Sequence, residues 1–151
     1  MDTVTEYMSI DHKHCDNVFA ALEHSVKSGR WKAADEAFQE FINAMQIHFK
    51  MEEDVLFPAF EQATGNSAGP TAVMRGEHQE LRDILDQLGD ALQQRDASDF
   101  SGVADTLNIM LQQHNMKEEG ILYPMADRML AASRAVLLTE MSNLKEPVKH
   151  A

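Results

Sequence analysis

The sequence predicts an all-α protein: an up-down-up-down four-helix bundle with a pseudo-two-fold internal repeat, followed by a short C-terminal helix. Three observations support this fold class. Apolar residues return at steps of three and four in four long stretches, which is the period of an α-helix. The alternation at a period of two that predicts strands is absent. One pattern also occurs twice at a spacing of 66 residues, as His12, His48 and Glu52 and then as His78, His114 and Glu118.

Each stretch defines the buried face of one predicted helix. The face of the first helix carries Met8, His12, Cys15, Phe19, Leu22 and Val26. The face of the second carries Ala34, Phe38, Phe41, Met45, His48, Glu52, Val55 and Ala59. The face of the third carries Met74, His78, Leu81, Leu85, Leu88 and Leu92, and that of the fourth Val103, Leu107, Met110, His114, Glu118, Ile121 and Met125. Thr3, with Glu6 three residues later, predicts a capping box at the start of the first helix.

Turn signals separate the four helices and set the domain boundaries. Gly, Pro, Ser, Asn and Asp residues concentrate at three breaks: 28–29, 64–70 and 95–99. We therefore expect two helical hairpins, at about 3–63 and 70–131, which together form the bundle of residues 1–131. Residues 132–151 are predicted to form the C-terminal helix and a tail.

Three prolines carry positional information. Pro70 suits the first turn of the third helix, where its missing N–H costs nothing. Pro58 and Pro124 follow shortly after the glutamates of the repeat, and we expect them to kink or end the second and fourth helices there.

Composition disfavours several classes of partner. The formal net charge of −12 argues against nucleic acid and anionic membranes, because both carry negative charge themselves. No run of about 18 apolar residues offers a membrane span. Cys15 is the single cysteine and cannot form an internal disulfide, which fits a reducing compartment. Since the N-terminus also does not resemble a secretory signal, we expect a cytoplasmic protein.

The positions of the turns predict that the repeated residues meet. Residues equidistant from the turn of an antiparallel hairpin lie opposite each other. In the sequence, the midpoint between His12 and His48 falls beside the first break. The midpoint between His78 and His114 falls in the third break, and the midpoint between Glu52 and His78 falls in the middle break. These residues therefore reach one level of the bundle, with each histidine roughly 27 Å from its hairpin turn at about 1.5 Å per residue.

Six polar residues on buried faces need compensation. Ionised carboxylates are costly in a low-dielectric interior unless they are paired or bind a cation. No lysine or arginine lies on these faces, so a cation is the simplest compensation, and hydrogen bonds among the polar residues are the alternative. Imidazole and carboxylate without thiolate suit iron, manganese or zinc. The predicted metal ligands are His12, His48, Glu52, His78, His114 and Glu118.

The two-fold repeat suggests how two metal ions would share these ligands. A His and a Glu four residues apart project from the same helical face, so one pair can serve two metals. We expect two histidines on each metal and both glutamates spanning the pair: His12 and His48 on one side, His78 and His114 on the other, Glu52 and Glu118 between them. That count leaves open coordination positions, as in reactive rather than closed structural sites.

With these motifs the chain resembles the hemerythrin-like, or HHE cation-binding, family over roughly residues 8–125. The resemblance rests on the Asp11-His12 and Glu77-His78 pairs and on two His-x-x-x-Glu-Glu runs that end in Leu-Phe-Pro or Leu-Tyr-Pro. It implies a four-helix bundle with a non-haem di-iron centre, in which the six residues named above are the iron ligands. Ferritin-like di-iron proteins differ, because they carry Glu-x-x-His instead.

Within that family the chain resembles the subgroup with four histidine and two glutamate ligands. Respiratory oxygen carriers have a fifth histidine, and Met74 stands at its position here. The resemblance implies two iron ions with an oxo or hydroxo bridge, ahead of manganese or zinc. We expect oxygen, nitric oxide or peroxide to bind there for sensing, storage or stress protection, with binding favoured over turnover. The alternatives are an enzyme or iron donor in the repair of iron–sulfur clusters, and a helical module with structural metals.

Acidic residues beside the predicted ligands divide into two pairs. Asp11 and Glu77 could accept hydrogen bonds from the imidazole N–H groups of the ligands, but their helix angle also suits solvent. Glu53 and Glu119 lie off the buried faces, and we expect them to face solvent although they recur in the repeat.

The other side chains near the site are expected to serve packing. Met8 and Met74 are predicted to pack in the core, and Cys15 to be a small buried apolar group. Tyr7 and Tyr123 could each reach the site, and the sequence does not place their side chains. The histidines outside the repeat are predicted to lie on the surface: His14, His24 and His150.

Overall fold

Four long helical rods form a bundle, and a shorter helix covers one side of it. The computed structural model describes residues 3–145 as α1 (Val4–Lys27), α2 (Trp31–Lys50), a first π segment (Met51–Leu56), α3 (Phe57–Thr64), α4 (Pro70–Gln93), α5 (Ala97–Lys117), a second π segment (Glu118–Leu122), α6 (Tyr123–Met129) and α7 (Arg134–Lys145). Each π segment joins the α-helices on its two sides into one continuous rod. No strand occurs within the described residues, which confirms the predicted all-α class with its short C-terminal helix.

The ends of the rods follow the predicted turn signals. Thr3 caps α1, since its hydroxyl accepts a hydrogen bond from the Glu6 N–H at 3.0 Å. Gly29 and Gly65 have φ angles of 69° and 68°, a left-handed conformation that glycine adopts without a Cβ clash. Pro70 occupies the first turn of α4, as expected. With these turns, α1 packs against α2 and α4 against α5, giving two hairpins.

Pro58 and Pro124 do not end their helices, and the other half of the prediction, a kink at each proline, stays a prediction. Each lies in the first turn of a helix, α3 or α6, that continues directly from a π segment. At the end of the first π segment the Phe57 N–H donates to the carbonyl oxygen of Glu52, five residues earlier. The second segment repeats this spacing between Tyr123 and Glu118. A π turn accommodates one more residue than an α turn, and such turns are frequent at functional sites.

The π segments change which residues face the core beyond the glutamates. Leu56 and Phe57 are fully buried, whereas Val55, predicted for the buried face, is half-buried. In the second half Leu122 is buried, but Ile121 is 57% exposed. The predicted faces are therefore displaced by one residue after each glutamate, because they assumed an α-helical step throughout.

Two apolar clusters fill the bundle on either side of a polar layer. The first cluster includes Cys15, Phe19, Leu22, Phe41, Phe49, Leu81, Leu88, Leu107 and Leu111. The second includes Met8, Met51, Leu56, Phe57, Met74, Leu122 and Tyr123, together with Leu137 and Met141 of α7. Core packing of Met8, Met74 and Cys15 is thereby confirmed. The polar layer thus lies in the interior, well away from the ends of the bundle.

Several remaining predictions concern the surface and the chain end. His14 and His24 are exposed, as expected. His150 and the end of the predicted tail, residues 146–151, lie outside the described residues, and the domain boundary after residue 131 stays a prediction. Across the described part of the chain, none of the helices has the length and apolar character needed to cross a bilayer.

Candidate metal centre

The six repeated residues meet in one buried layer between the two apolar clusters. The histidines come one each from α1, α2, α4 and α5, and both glutamates come from the π segments. None of the six is more than 4% exposed. Their ligand-type atoms form two groups, and within each group these atoms all lie within 4.8 Å of one another: Glu52, His78, His114 and Glu118 in one, His12, His48 and Glu118 in the other. The structure therefore brings together all the residues that the repeat singled out, while their role as metal ligands stays a prediction.

Glu118 lies between the two hairpins. Its Oε1 is 3.0 Å from His12 Nε2, and its Oε2 is 3.3 Å from His114 Nε2. On the first-hairpin side, His12 Nε2 and His48 Nε2 are 3.1 Å apart. One carboxylate thus faces histidines of both halves, the arrangement expected of a bridging group.

Glu52 takes the corresponding place from the other side. Its Oε1 is 3.0 Å from His78 Nε2 and 3.4 Å from His48 Nε2. The hydroxyl of Tyr123 stands beside both glutamates, 2.7 Å from Glu52 Oε2 and 2.9 Å from Glu118 Oε1. Tyr123, which the sequence could not place, is therefore a hydrogen-bond donor at the centre of the layer.

Two of the histidines are oriented by carboxylates of their own hairpin. His48 Nδ1–H donates to Asp11 Oδ2 at 2.7 Å, and His114 Nδ1–H donates to Glu77 Oε1 at 2.8 Å. A carboxylate on Nδ1 fixes the tautomer and turns the lone pair of Nε2 toward the site. Of the two interpretations for Asp11 and Glu77, the structure supports acceptance from imidazole N–H.

The other two histidines are oriented by carboxylates of the opposite hairpin. His78 Nδ1–H donates to Glu53 Oε2 at 2.7 Å, and His12 Nδ1–H donates to Glu119 Oε2 at 2.5 Å. The expectation that Glu53 and Glu119 face solvent is wrong for Glu53, and it is incomplete for Glu119, whose side chain is 40% exposed but also binds His12. Both lie in π segments, whose wider turn changes the direction in which side chains project. Their recurrence in the repeat was the signal that could have identified them.

Burial and mutual contact shift the pKa values of the layer. Burial by itself lowers the pKa of His48, but the charge of Glu52 and the hydrogen bond to Asp11 raise it well above its usual value. Burial likewise opposes the charged form of His114, yet the Glu118 carboxylate raises its pKa to about 8. Burial and the charge of Glu118 raise the pKa of Glu52. Burial acts in the same direction on Glu118, but contact with Glu52 and the surrounding imidazoles lowers its pKa well below the usual range. The layer therefore attracts positive charge, as protons or as cations.

Two atoms of the layer show that its polar groups do not satisfy one another. His114 Nε2 and Glu118 Oε2 lie 3.3 Å apart, and among the described residues neither of these buried atoms has a hydrogen-bond partner. An unpaired buried polar group costs about 1–3 kcal/mol. Both atoms are good ligands for a cation, which would satisfy them together.

The donor set also fits a metal by its chemistry. It offers four imidazole nitrogens and two carboxylates, the combination that suits iron, manganese or zinc. Cys15 lies nearby in the first apolar cluster, but burial raises the pKa of its thiol to about 11 and so disfavours the thiolate that metals bind. Tyr7 is directed elsewhere, because its hydroxyl pairs with the hydroxyl of Ser142 on α7 at 2.9 Å.

Comparison with known proteins gives one match. A family model described as the hemerythrin HHE cation binding domain matches residues 3–126. This range includes all six residues of the layer and the four carboxylates that accept from the imidazole Nδ1–H groups, called the outer carboxylates below: Asp11, Glu53, Glu77 and Glu119. No curated protein and no solved structure matches the chain.

Proposed function

This chain belongs to the hemerythrin HHE cation-binding family, and we propose that it holds two iron ions in its buried layer and binds oxygen, nitric oxide or peroxide there. The proposed roles are sensing, storage or protection against these molecules. One observation carries the proposal: four imidazole Nε2 atoms and two carboxylates from both hairpins face one another away from water. The proposed ligands are His12, His48, Glu52, His78, His114 and Glu118.

The balance of charge supports a pair of cations. Four outer carboxylates surround the two central ones, and the basic side chains paired with the outer group within residues 3–145 are Lys145, Arg82 and Lys117. Negative groups therefore outnumber basic side chains around the layer. Two multivalent cations would correct this imbalance and would satisfy the unpaired atoms of His114 and Glu118.

The burial of the site supports a small ligand. Iron bound there would supply a redox-active centre with open coordination positions. None of the six proposed ligands is more than 4% exposed, so a small molecule can reach the layer more readily than a larger organic substrate. Tyr123 adds a hydroxyl donor at the layer, beside Glu52 and Glu118.

The proposal is tested by loading the protein with ferrous iron without oxygen, measuring the iron content, and then mixing with oxygen in a stopped-flow spectrometer. We expect two iron ions per chain and an oxygen-dependent absorption band in the near-ultraviolet or visible range. The variant His48→Ala should lose metal, whereas His14→Ala, which changes an exposed histidine, should behave as the wild type. Protein that retains two zinc ions from iron-replete cells and gives no oxygen-dependent spectrum would assign the metals a structural role.

Binding and turnover are separated by the amount of ligand consumed. With protein at a small fraction of the concentration of peroxide or nitric oxide, binding predicts that consumption stops once the sites are filled. Continued consumption would instead assign the chain to an enzyme of stress defence.

A further inference from the structure

The four outer carboxylates differ in how they are neutralised. Three have a basic partner: Lys145 Nζ is 2.8 Å from Asp11, Arg82 pairs with Glu53 at 2.7 Å, and Lys117 pairs with Glu77 at 2.5 Å. Glu119 forms no salt bridge to a lysine or arginine within the described part of the chain.

Exposure to water separates Asp11 from the rest. The side chains of Glu53, Glu77 and Glu119 are 20%, 21% and 40% exposed, whereas that of Asp11 is 4% exposed. Water can solvate the first three carboxylates if their basic partners leave. The carboxylate of Asp11 is too buried for water to take the place of its partner, so its position depends on the ammonium of Lys145.

The cation for Asp11 comes from outside the repeat. Lys117 serves Glu77 in the second hairpin, and the position that corresponds to it in the first is Met51, which is fully buried. Helix α7 packs on the first π segment, where Met51 lies, and brings Lys145 to Asp11 instead.

The side chain of Lys145 is held in this place by its surroundings. Its Nζ lies 4.8 Å from the centre of the Tyr7 ring, a cation–π distance. The Tyr7 hydroxyl is in turn hydrogen-bonded to Ser142 on α7. The contact between α1 and α7 therefore aims the ammonium at Asp11.

We propose that Lys145 is a positioning residue of the metal centre, which acts through Asp11 on His48 and makes α7 part of the first hairpin's half of the site. This inference rests on the proposed function. The chain of contacts is continuous: Lys145 to Asp11 Oδ1 at 2.8 Å, then Asp11 Oδ2 to His48 Nδ1 at 2.7 Å. Without the ammonium, the buried carboxylate would turn toward water and release the imidazole of His48.

The test compares Lys145→Met with Lys117→Met. Both changes remove one ammonium beside an outer carboxylate, and the second creates the residue that the first hairpin already has at the corresponding position. Because Glu77 reaches water, Lys117→Met serves as the matched control. Lys145→Arg keeps a positive charge and should restore the wild-type behaviour. Metal-free Lys145→Met should melt at a lower temperature than Lys117→Met, because it leaves the buried Asp11 without its ammonium, so all proteins are compared at a temperature well below the lowest melting temperature.

Two measurements are made on each variant. In Lys145→Met, part of the ferrous iron should be released to a chromogenic chelator about 3- to 10-fold faster than in the wild type. This effect is smaller than the effect of removing a residue that is hydrogen-bonded directly to a metal ligand. In the metal-free protein, the NMR resonance of the His48 Nδ1 proton should be lost in Lys145→Met and retained in Lys117→Met.

The outcomes separate this inference from the proposed function. Unchanged release and a retained His48 resonance in Lys145→Met would overturn the inference, as would equal effects of Lys145→Met and Lys117→Met. Wild-type protein that retains no iron would overturn the proposed function and the metal half of the inference, while the resonance of His48 would still show whether Lys145 positions that imidazole.

Discussion

Replacing Glu118 by glutamine should separate the contribution of this carboxylate to the metal-free fold from its contribution to metal binding. The Glu118 side chain is fully buried, and its Oε1 accepts a hydrogen bond from the Tyr123 hydroxyl at 2.9 Å. Its Oε2 lies 3.3 Å from His114 Nε2 but has no hydrogen-bond partner among the described residues. Glutamine keeps the shape of the side chain and the acceptor for Tyr123 but removes the charge.

In the absence of metal, the substitution should destabilise the protein. Although burial opposes the charged form, contact with Glu52 and the imidazoles holds the pKa of Glu118 well below its usual range, so the ionised carboxylate stabilises the fold at neutral pH, and the neutral amide loses that contribution. The penalty of about 1–3 kcal/mol for the unpaired Oε2 offsets part of this loss. We therefore expect the free energy of unfolding of metal-free Glu118→Gln to lie about 1–3 kcal/mol below that of the wild type.

With metal present, the difference in stability should widen. A ligand at about 1,000 times its Kd adds about 4.1 kcal/mol to the free energy of unfolding. Loss of a bridging carboxylate should weaken binding at least about 100-fold, since changes to mere partners of ligands reach that size. At the same metal concentration the variant would then gain only about 1.4 kcal/mol.

The assay is urea denaturation of wild type and variant, each without metal and at one fixed concentration of ferrous iron under anaerobic conditions. Glu40→Gln, an exposed substitution of the same kind on α2, serves as control and should follow the wild type in both series. The reasoning is refuted if metal-free Glu118→Gln is as stable as the wild type or more stable, or if the increment from iron is the same in variant and wild type.

Three further predictions follow from single contacts. Glu53→Gln should weaken metal binding about 10- to 100-fold in an equilibrium titration, because Glu53 orients His78, whereas Asp54→Asn, an exposed neighbour, should leave it unchanged; equal effects would contradict the assigned contact. Tyr123→Phe should lower the free energy of unfolding of the metal-free protein, measured in urea, by about 1–3 kcal/mol, because Glu52 and Glu118 lose a hydrogen-bond donor. The loss should be smaller in the metal-saturated protein, where the metal binds these carboxylates, and an equal loss in both states would contradict this. Asp127→Ala should lower the free energy of unfolding by about 2 kcal/mol in the same assay, because this carboxylate accepts three hydrogen bonds from the first two residues of α1. An unchanged denaturation midpoint would show that water replaces these hydrogen bonds.

The layer could be predicted from the sequence because its geometry follows from spacing alone. Residues equidistant from a turn must meet in an antiparallel hairpin, and the turns at Gly29 and Gly65 are marked by residues that tolerate a left-handed backbone. The burial of His78 and Glu118 follows from their place in an apolar pattern of helical period. None of these steps depends on the detailed direction of a side chain.

The π segments could not be predicted, and two errors have their origin there. A helical period of 3.6 residues assigned Ile121 to the core and Glu53 to solvent, whereas the wider turn exposes the first and brings the second to His78. Whether a helix takes an α or a π turn depends on packing around that turn, which includes α7 on the first π segment. Lys145 escaped prediction for a related reason: it lies outside the repeat, and only the docking of α7 brings it to Asp11.

The two halves of the chain depend on each other at the level of single hydrogen bonds. His12 is oriented by Glu119 and His78 by Glu53, so each hairpin contains one histidine whose carboxylate belongs to the other hairpin. An isolated hairpin would therefore have one histidine without its orienting partner and would lack the glutamate of the opposite half. The basic partners of the outer carboxylates do not follow the internal repeat. Lysine at position 117 corresponds to methionine at position 51, and the first half tolerates the methionine because α7 provides the missing positive charge.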